Sequence, residues 1–401
     1  MYIIKICVTI VVTYLQTAFG VVKLNCKKLK GDFAERRINV MIKIKLGIVD
    51  HDRVYLDRIS KYFNNNYKNQ VEVYSFTDES TVTEAVRQNK INVLMAAQDI
   101  EIRTDRLADF CMFAYFVDSK MIDTYSDYHA ICKFQRADLI YKQILGLYSE
   151  KLADKVKYKN SGARKSEISL FVSGFDGAGA TTSAAAYARY LAAKGRKTLF
   201  LNLKQFGNIE NIFEASGKGS FTDAIFAIKS RKVNMTLKLE SIVKQSDDGV
   251  YFYDRCRDVL DYTEINLDEL ETLLDEMSGS FGYHNIVVVT DFYFCDSLIY
   301  LMEQAKEVII VCDNRKTSQV QLERRTSAIK SLDNRKNLNV SDKVRLIFNK
   351  TINASIFRTD FPVIGIQPEL EMYDDKEIVK EMAFSGIFDK MNSVRKQGTI
   401  A

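Results

Sequence analysis

The chain has 401 residues, 47% of them hydrophobic, and 57 Lys and Arg against 52 Asp and Glu give it a net charge of +5. A chain of this length is expected to form two or three domains, each with enough apolar side chains for a core. The small positive charge disfavours a protein built mainly to coat nucleic acid, and only 2 prolines and 18 glycines exclude collagen-like and low-complexity classes.

The cysteines and histidines point away from metal and triad chemistry. Seven cysteines, an odd number with no CxxC pair, indicate neither a disulfide framework nor a zinc site, and they suit a reducing cytosol. The three histidines lie far apart in the sequence, which leaves little material for a metal hydrolase or a Ser-His-Asp triad. We therefore expect a cytoplasmic protein whose chemistry lies elsewhere.

Residues 1–40 differ from the rest of the chain. Residues 6–19 form an apolar run that is shorter than a membrane-spanning helix and similar in length to a signal-peptide core. A secretory leader conflicts with the free cysteines, because export would carry cytosolic-type domains into an oxidising compartment. The sequence MIKIKLGIVD begins a strand directly at Met41. We favour translation from Met41, with a leader and a membrane anchor as the alternatives.

Translation from Met41 predicts that the native protein contains no residue upstream of it. Mass spectrometry of tryptic digests of the protein, isolated from the cells that make it, should find no peptide that ends before Met41. Recovery of peptides that cover residues 25–36 would contradict this prediction.

Residues 41–154 are predicted to form a doubly wound parallel sheet. Short apolar runs alternate with helical patterns along this segment, at 44–49, 53–63, 71–76, 81–88 and 91–97, before a long helix at 137–152. Such alternation is typical of a parallel sheet with helices on both faces, and the spacing suggests the flavodoxin-like strand order.

This pattern resembles the response-regulator receiver domain. Asp50 and Asp52 end the first strand, where receivers keep the acidic residues that hold Mg²⁺. The third strand ends in Ala96 and Ala97, so no carboxylate is available there to form an acyl phosphate. Lys133, at the position of the receiver lysine, is expected to be a surface residue. We predict a docking or dimerisation module that is not phosphorylated.

A charged stretch at 155–167 is predicted to be the linker to a second doubly wound α/β domain over 168–401. Its first strand is followed by a glycine loop and an alanine-rich helix, which is the context that a phosphate-binding loop requires. The spacing GxxxxG[K][ST] is kept from Gly174 to Thr181, with Ala180 at the lysine position. Backbone N–H groups and the helix dipole can still bind phosphate there.

The predicted nucleotide-binding residues cover this loop. Thr181 is placed to give its hydroxyl to Mg²⁺, and Thr182 to contact an inner phosphate. The alternative is a glycine-rich turn before an ordinary helix. The predicted set in the loop is Gly174, Phe175, Asp176, Gly177, Ala178, Gly179, Ala180, Thr181 and Thr182.

The second domain resembles the ParA/MinD family of deviant Walker ATPases over nearly all of its length. Residues 198–208 have the layout of that family's switch segment, and a later strand is followed by Asp291, as in a Walker B region whose aspartate supports Mg²⁺. Asn349 and Lys350 follow another strand, where the family has an adenine-contacting asparagine, and residues 361–368 match its closing strand. The resemblance implies ATP and Mg²⁺ as cofactors.

A receiver-like domain without its phosphoacceptor, joined to a ParA/MinD-like domain, resembles the CpaE/TadZ group of Flp/Tad pilus assembly proteins. The resemblance implies a homodimer at the cell pole that recruits proteins of the pilus and secretion apparatus, while the mild net charge disfavours a nucleic-acid partner. An apolar stripe with a basic end at 375–395 predicts either a terminal helix packed on the sheet or a helix for peripheral membrane association.

Three charges that the ParA/MinD family uses are missing. The signature lysine falls at Phe175, the loop lysine at Ala180 and the switch aspartate at Lys204. Each such group lowers the barrier to phosphoryl transfer by several kcal/mol, so we expect weak ATP hydrolysis or none. The alternatives are an active ParA/MinD-type ATPase, in DNA partitioning or in cell-division or flagellar positioning, and a nucleotide-free interaction module.

Overall fold

The computed structural model describes residues 43–108, 110–151, 166–207, 209–217, 219–230, 235–279, 281–351, 359–371, 374–389 and 391. Residues 1–40, residues 155–165 of the predicted linker over 155–167 and Asn208 of the switch segment lie outside the described residues. Glu167, predicted as the last linker residue, begins a strand, and the domain boundaries stay predictions. Two mainly parallel sheets are present, so the predicted fold class is confirmed. No helix within the described part of the chain is long and apolar enough to cross a membrane.

The first sheet has the strand order β2-β1-β3-β4-β6-β5. Neighbouring strands are parallel except β5 and β6, an antiparallel hairpin that adds an edge strand to the predicted flavodoxin-like order. The elements are β1 (Ile44–Val49), α1 (Arg53–Asn66), β2 (Val71–Phe76), α2 (Val82–Asn89), β3 (Val93–Ala97), β4 (Met112–Val117), β5 (Thr124–Tyr125), β6 (Tyr128–Cys132) and α3 (Ala137–Lys151).

Helices cover both faces of this sheet. Ile59 and Phe63 of α1 pack with Ile140 of α3 against one face. Val82 and Val86 of α2 pack against the other. Burial of a side chain of this size stabilises the fold by about 1.5 to 3 kcal/mol. Because helices cover both faces of the sheet, the strand residues are buried on both faces, and the strand sequences are continuous apolar runs.

The second sheet has the order β14-β13-β12-β7-β11-β8-β10-β9 and is parallel except for the β9-β10 hairpin. Its strands are β7 (Glu167–Ser173), β8 (Thr198–Asn202), β9 (Lys244–Gln245), β10 (Val250–Phe252), β11 (Asn285–Val289), β12 (Glu307–Cys312), β13 (Val344–Thr351) and β14 (Val363–Pro368). Its helices are α4 (Ala180–Ala193), α5 (Phe221–Lys229), α6 (Met235–Ile242), α7 (Leu267–Gly279), α8 (Asp296–Gln304), α9 (Lys316–Lys336) and α10 (Asp375–Phe384).

β7 is the strand that positions the glycine loop. It lies between β11 and β12, and Phe171 pairs with Val289 on one side and Ile309 on the other. The chain leaves β7 through α4 toward β8, whereas β12 lies on the opposite side of β7. Such a reversal opens a crevice at the carboxyl ends of the strands, where ligands bind in sheets of this type.

The C-terminal helix α10 packs on α4. Val379 and Met382 are buried in the core that α4 also lines, and Arg189 of α4 donates a hydrogen bond to the carbonyl oxygen of Lys376 at 3.2 Å. Of the apolar stripe at 375–395, Met382, Ile387, Phe388 and Met391 are buried, as the packing interpretation predicted, whereas Phe384 is 65% exposed. Residues 390 and 392–395 lie outside the described residues.

Helix α3, which packs on the first sheet, also contacts helix α6 of the second domain. The Lys142 ammonium donates a hydrogen bond to the carbonyl oxygen of Val243 at 2.6 Å, and Arg136 lies 3.7 Å from the carboxylate of Asp247. A Cβ added at Gly146 of α3 would lie 3.7 Å from the Ser241 hydroxyl, so the two helices approach closely.

Two glycines beside this contact differ in the space around them. A Cβ at Gly219 would lie 2.6 Å from the Ile242 Cβ and 2.9 Å from its carbonyl oxygen, so Gly219→Ala should destabilise the protein by about 1 to 3 kcal/mol. Gly146→Ala adds the same methyl group at ordinary contact distance inside a helix and should stabilise by about 0.5 to 1 kcal/mol. The urea concentrations at the unfolding midpoints of Gly219→Ala and Gly146→Ala test this prediction. Equal shifts of the two midpoints would contradict the close approach of Ile242 to Gly219.

Candidate functional site

The glycine loop runs from the end of β7 to the start of α4 and is held against β12. The N–H of Gly174 donates to the carbonyl oxygen of Val311 at 2.6 Å, and a Cβ at Gly174 would lie 3.0 Å from the Cys312 Cβ and from that carbonyl oxygen. Gly177 and Gly179 have φ of +82° and +89°, which L side chains rarely adopt. The sequence places glycine where this backbone requires it.

Asn349, predicted to contact adenine, reaches the loop. Its buried amide donates to the carbonyl oxygen of Ala178 at 2.9 Å, and a Cβ at Gly179 would lie 2.3 Å from that amide nitrogen. The Lys350 ammonium lies 3.4 Å from the carbonyl oxygen of Gly177. Both residues thus contact carbonyl oxygens of the loop, and the adenine contact itself stays a prediction.

The start of α4 leaves N–H groups available at the loop. Ser183 donates to the carbonyl oxygen of Gly179 at 2.9 Å, whereas Ala180, Thr181 and Thr182 precede it and have no intrahelical acceptor for their N–H groups. The helix dipole adds a partial positive charge at the same point. Thr181 and Thr182 are half-buried, and Ala180 is buried. The arrangement can bind a phosphate without a lysine.

Two arginines of α9 and its N-cap approach the loop, and the sequence motifs did not indicate them. Arg325 donates a hydrogen bond to the carbonyl oxygen of Gly174, and the Arg315 guanidinium lies 5.1 Å from the ring centre of buried Phe175. Burial lowers the pKa of Arg325, and the nearby carboxylate of Asp176 opposes this effect. No spacing in the sequence connects α9 with the loop, so this contact could only be found in the fold.

Lys204 and Asp291, at the predicted switch aspartate and Walker B positions, form an ion pair. The Lys204 ammonium lies 3.3 Å from the Asp291 carboxylate, with side chains 21% and 60% exposed. The sheet brings the two residues together. The N–H of Leu203 donates to the carbonyl oxygen of Val289 at 2.8 Å and so holds the segment after β8 beside the end of β11. Mg²⁺ at Thr181 and Asp291 stays a prediction, and Lys204 would compete with the ion for this carboxylate.

At the carboxyl end of β1, Lys133 pairs with the buried carboxylate of Asp50. Asp50 is buried and accepts hydrogen bonds from the N–H of Asp52 at 2.8 Å and from the Lys133 ammonium at 3.4 Å. Asp52 caps α1, and Ala96 at the end of β3 is buried. The expectation of a surface role for Lys133 is therefore wrong, because its side chain is only 19% exposed and neutralises Asp50.

The comparison with protein families decides the identity of the first domain. Residues 42–149 match the family model described as "TadZ-like, receiver domain". These residues are similar to TadZ-like receiver domains. The match agrees with the predicted resemblance. None of the curated protein sequences compared with this chain matches it significantly.

Solved structures of ParA and MinD proteins are among those partly similar to this chain. A ParA family ATPase from Chlorobium tepidum is 18% identical and covers 56% of this chain and 92% of its own, with a TM-score of 0.44. The MinC:MinD cell division complex of Aquifex aeolicus is 18% identical and covers 58% of this chain and 96% of its own, with a TM-score of 0.45. MinD from Pyrococcus horikoshii with Mg-ADP is 17% identical and covers 58% and 98%, with a TM-score of 0.44.

The contact between Gly179 and Asn349 can be tested with matched substitutions. Gly179→Ala and Gly177→Ala both place a side chain at positive φ, at a cost of about 1 to 3 kcal/mol, but only the first also meets a neighbour, at 2.3 Å. Gly179→Ala should therefore lower the thermal midpoint further. Adding Asn349→Ala should cost less in the Gly179→Ala background than in the unmodified protein. Equal midpoints for the two glycine variants would contradict the close approach.

Proposed function

We propose that the chain binds ATP with Mg²⁺ in the glycine loop, hydrolyses it slowly or not at all, and acts as a scaffold in Tad-type pilus assembly. The observation that carries the nucleotide part is the support of the loop: Asn349 and Lys350 hold the carbonyl oxygens of Ala178 and Gly177. The N–H groups at the start of α4 remain for a phosphate.

The residues present fit a bound nucleotide and metal ion. A side chain at Gly174 or Gly179 would collide with neighbours, so the backbone itself forms the cradle. Thr181 would give its hydroxyl to the metal ion, and the Asp291 carboxylate, which follows β11, would support the same ion. Mg²⁺ would supply neutralisation of charge on the phosphates. The contact of adenine with Asn349 and Lys350 belongs to the same proposal.

Slow hydrolysis follows from the charges that surround the loop. Lys204 stands where an active enzyme of this kind has a carboxylate, and it already pairs with Asp291 at 3.3 Å. Phe175 is buried in the core, and Ala180 brings no charge. Phosphoryl transfer depends on positioning the nucleophile and neutralising developing charge, so a site that lacks these groups can hold ATP without using it.

The scaffold part rests on the TadZ-like receiver domain and on exposed aromatic side chains near the loop. The third strand of the receiver domain ends in Ala96 and Ala97, and we propose that the domain binds other proteins. Phe206, which follows β8, and Tyr293, which follows β11, are 84% and 75% exposed at the carboxyl edge of the second sheet. Exposed aromatics favour a protein contact there. We propose a homodimer that recruits pilus and secretion proteins in the cytoplasm at the cell pole.

Restoring the missing lysine tests the nucleotide part. Ala180→Lys should tighten ATP binding by about 1 to 3 kcal/mol, because it adds a charge-assisted hydrogen bond to a loop that already binds phosphate. It should not restore turnover, since Lys204 is unchanged. Ala180→Met, which adds a side chain of similar length without charge, is the control in equilibrium titrations with ATP and Mg²⁺.

The double variant Ala180→Lys with Lys204→Asp is the smallest change expected to raise the rate of phosphate release. Equal affinities of the Ala180→Lys and Ala180→Met variants for ATP would argue against a phosphate at this loop. Fast release by the single variant Ala180→Lys would argue against the role assigned to Lys204.

A further inference from the structure

A polar cleft lies between the TadZ-like receiver domain and the second sheet. Its volume is about 540 Å³, within the roughly 300 to 1,000 Å³ of small-ligand sites, which often lie at domain contacts. Lys120, Leu139 and Lys142 line it from the receiver domain, and Gly217, Lys238 and Ile242 line it from the other side. The cleft is separate from the glycine loop, since none of the loop residues lines it.

The cleft carries more positive charge than its own carboxylates balance. Among the described residues, the basic side chains that line it are Lys120, Lys142, Lys238, Lys244 and Arg257, against Asp123 and Asp223. Lys244 pairs with Asp254 at 2.7 Å, and Arg257 pairs with Asp223. For the other three lysines, no carboxylate within the described part of the chain lies at ion-pair distance. Three lysines that line the cleft therefore have no ion-pair partner within the described part of the chain.

Lys142 is the most constrained of these ammonium groups. It donates a hydrogen bond to the carbonyl oxygen of Val243 at 2.6 Å. Burial lowers its pKa, while the charges of Asp138 and Glu240 oppose this effect. A desolvated ammonium group without an ion-pair partner is unfavourable, so an anion in the cleft would stabilise it.

The opposite wall is suited to a phosphate next to an apolar group. Gly217, with a φ of +127°, and Gly219 line this wall without side chains, so their backbone forms part of the surface of the cleft. Leu139 and Ile242 add apolar surface on either side. We propose that this cleft binds a small organic phosphate of nucleotide size, held by Lys120, Lys142 and Lys238. The ligand contacts both domains and so strengthens the packing of α3 on α6.

The test uses the full chain with ¹⁵N-labelled glycine and titrations with AMP and with inorganic phosphate, followed by NMR. The amide signals of Gly217 and Gly219 should shift to saturation with AMP, at least tenfold more tightly than with phosphate, because the apolar walls add contacts. Gly177 and Gly179 report on the glycine loop separately. Failure of ATP binding at the loop therefore leaves this test intact.

Charge-matched variants complete the experiment. Lys120→Glu with Lys238→Glu should weaken the AMP response at Gly217 by tenfold or more. Lys68→Glu with Lys380→Glu, which changes two exposed lysines that do not line the cleft by the same net charge, should change it less than twofold. Absence of an AMP response at Gly217 and Gly219, equal affinity for AMP and phosphate, or equal weakening by the two double variants would each overturn the proposal.

Discussion

The hydrogen bond from the Asn349 amide to the carbonyl oxygen of Ala178 is the contact on which the candidate site depends. It fixes the carbonyl oxygen of Ala178 on β13 and places Asn349 so close to Gly179 that no side chain fits there. Because the loop has no lysine, any phosphate affinity must come from N–H groups that are already oriented. A loop that had to reorganise on binding would lose that affinity, so the β13 contact and the glycine positions act together.

The cationic side chains around this loop are already bound to other groups of the protein. Arg325 is bound to the carbonyl oxygen of Gly174, Arg315 pairs with buried Asp313, and Lys204 pairs with Asp291. In the proposed function, the backbone at the start of α4 holds the phosphates of ATP, while these cations are bound to other groups of the protein, so nucleotide binding is expected without fast hydrolysis.

Much of the fold follows from local sequence patterns. The apolar runs from β1 to β3 and at β7, and the glycine loop before α4, are local signals, and the structure contains these elements close to the predicted bounds. The ion pair of Lys133 with Asp50, the contact of Arg325 with Gly174 and the β5-β6 hairpin could not be predicted, because they join residues far apart in sequence or use strands too short for a periodic pattern. The two α/β units were therefore predictable, whereas the pairing of charges around each site was not.

The glycine loop is proposed to bind ATP without using it. The most direct measurement combines equilibrium binding of ATP with Mg²⁺ and phosphate release on the same preparation of the unmodified protein. We predict saturable binding, with release far slower than the rate of about 1 per second at the lower end of active phosphoryl-transfer enzymes. Release near 1 per second, or no binding at millimolar ATP, would contradict the proposal.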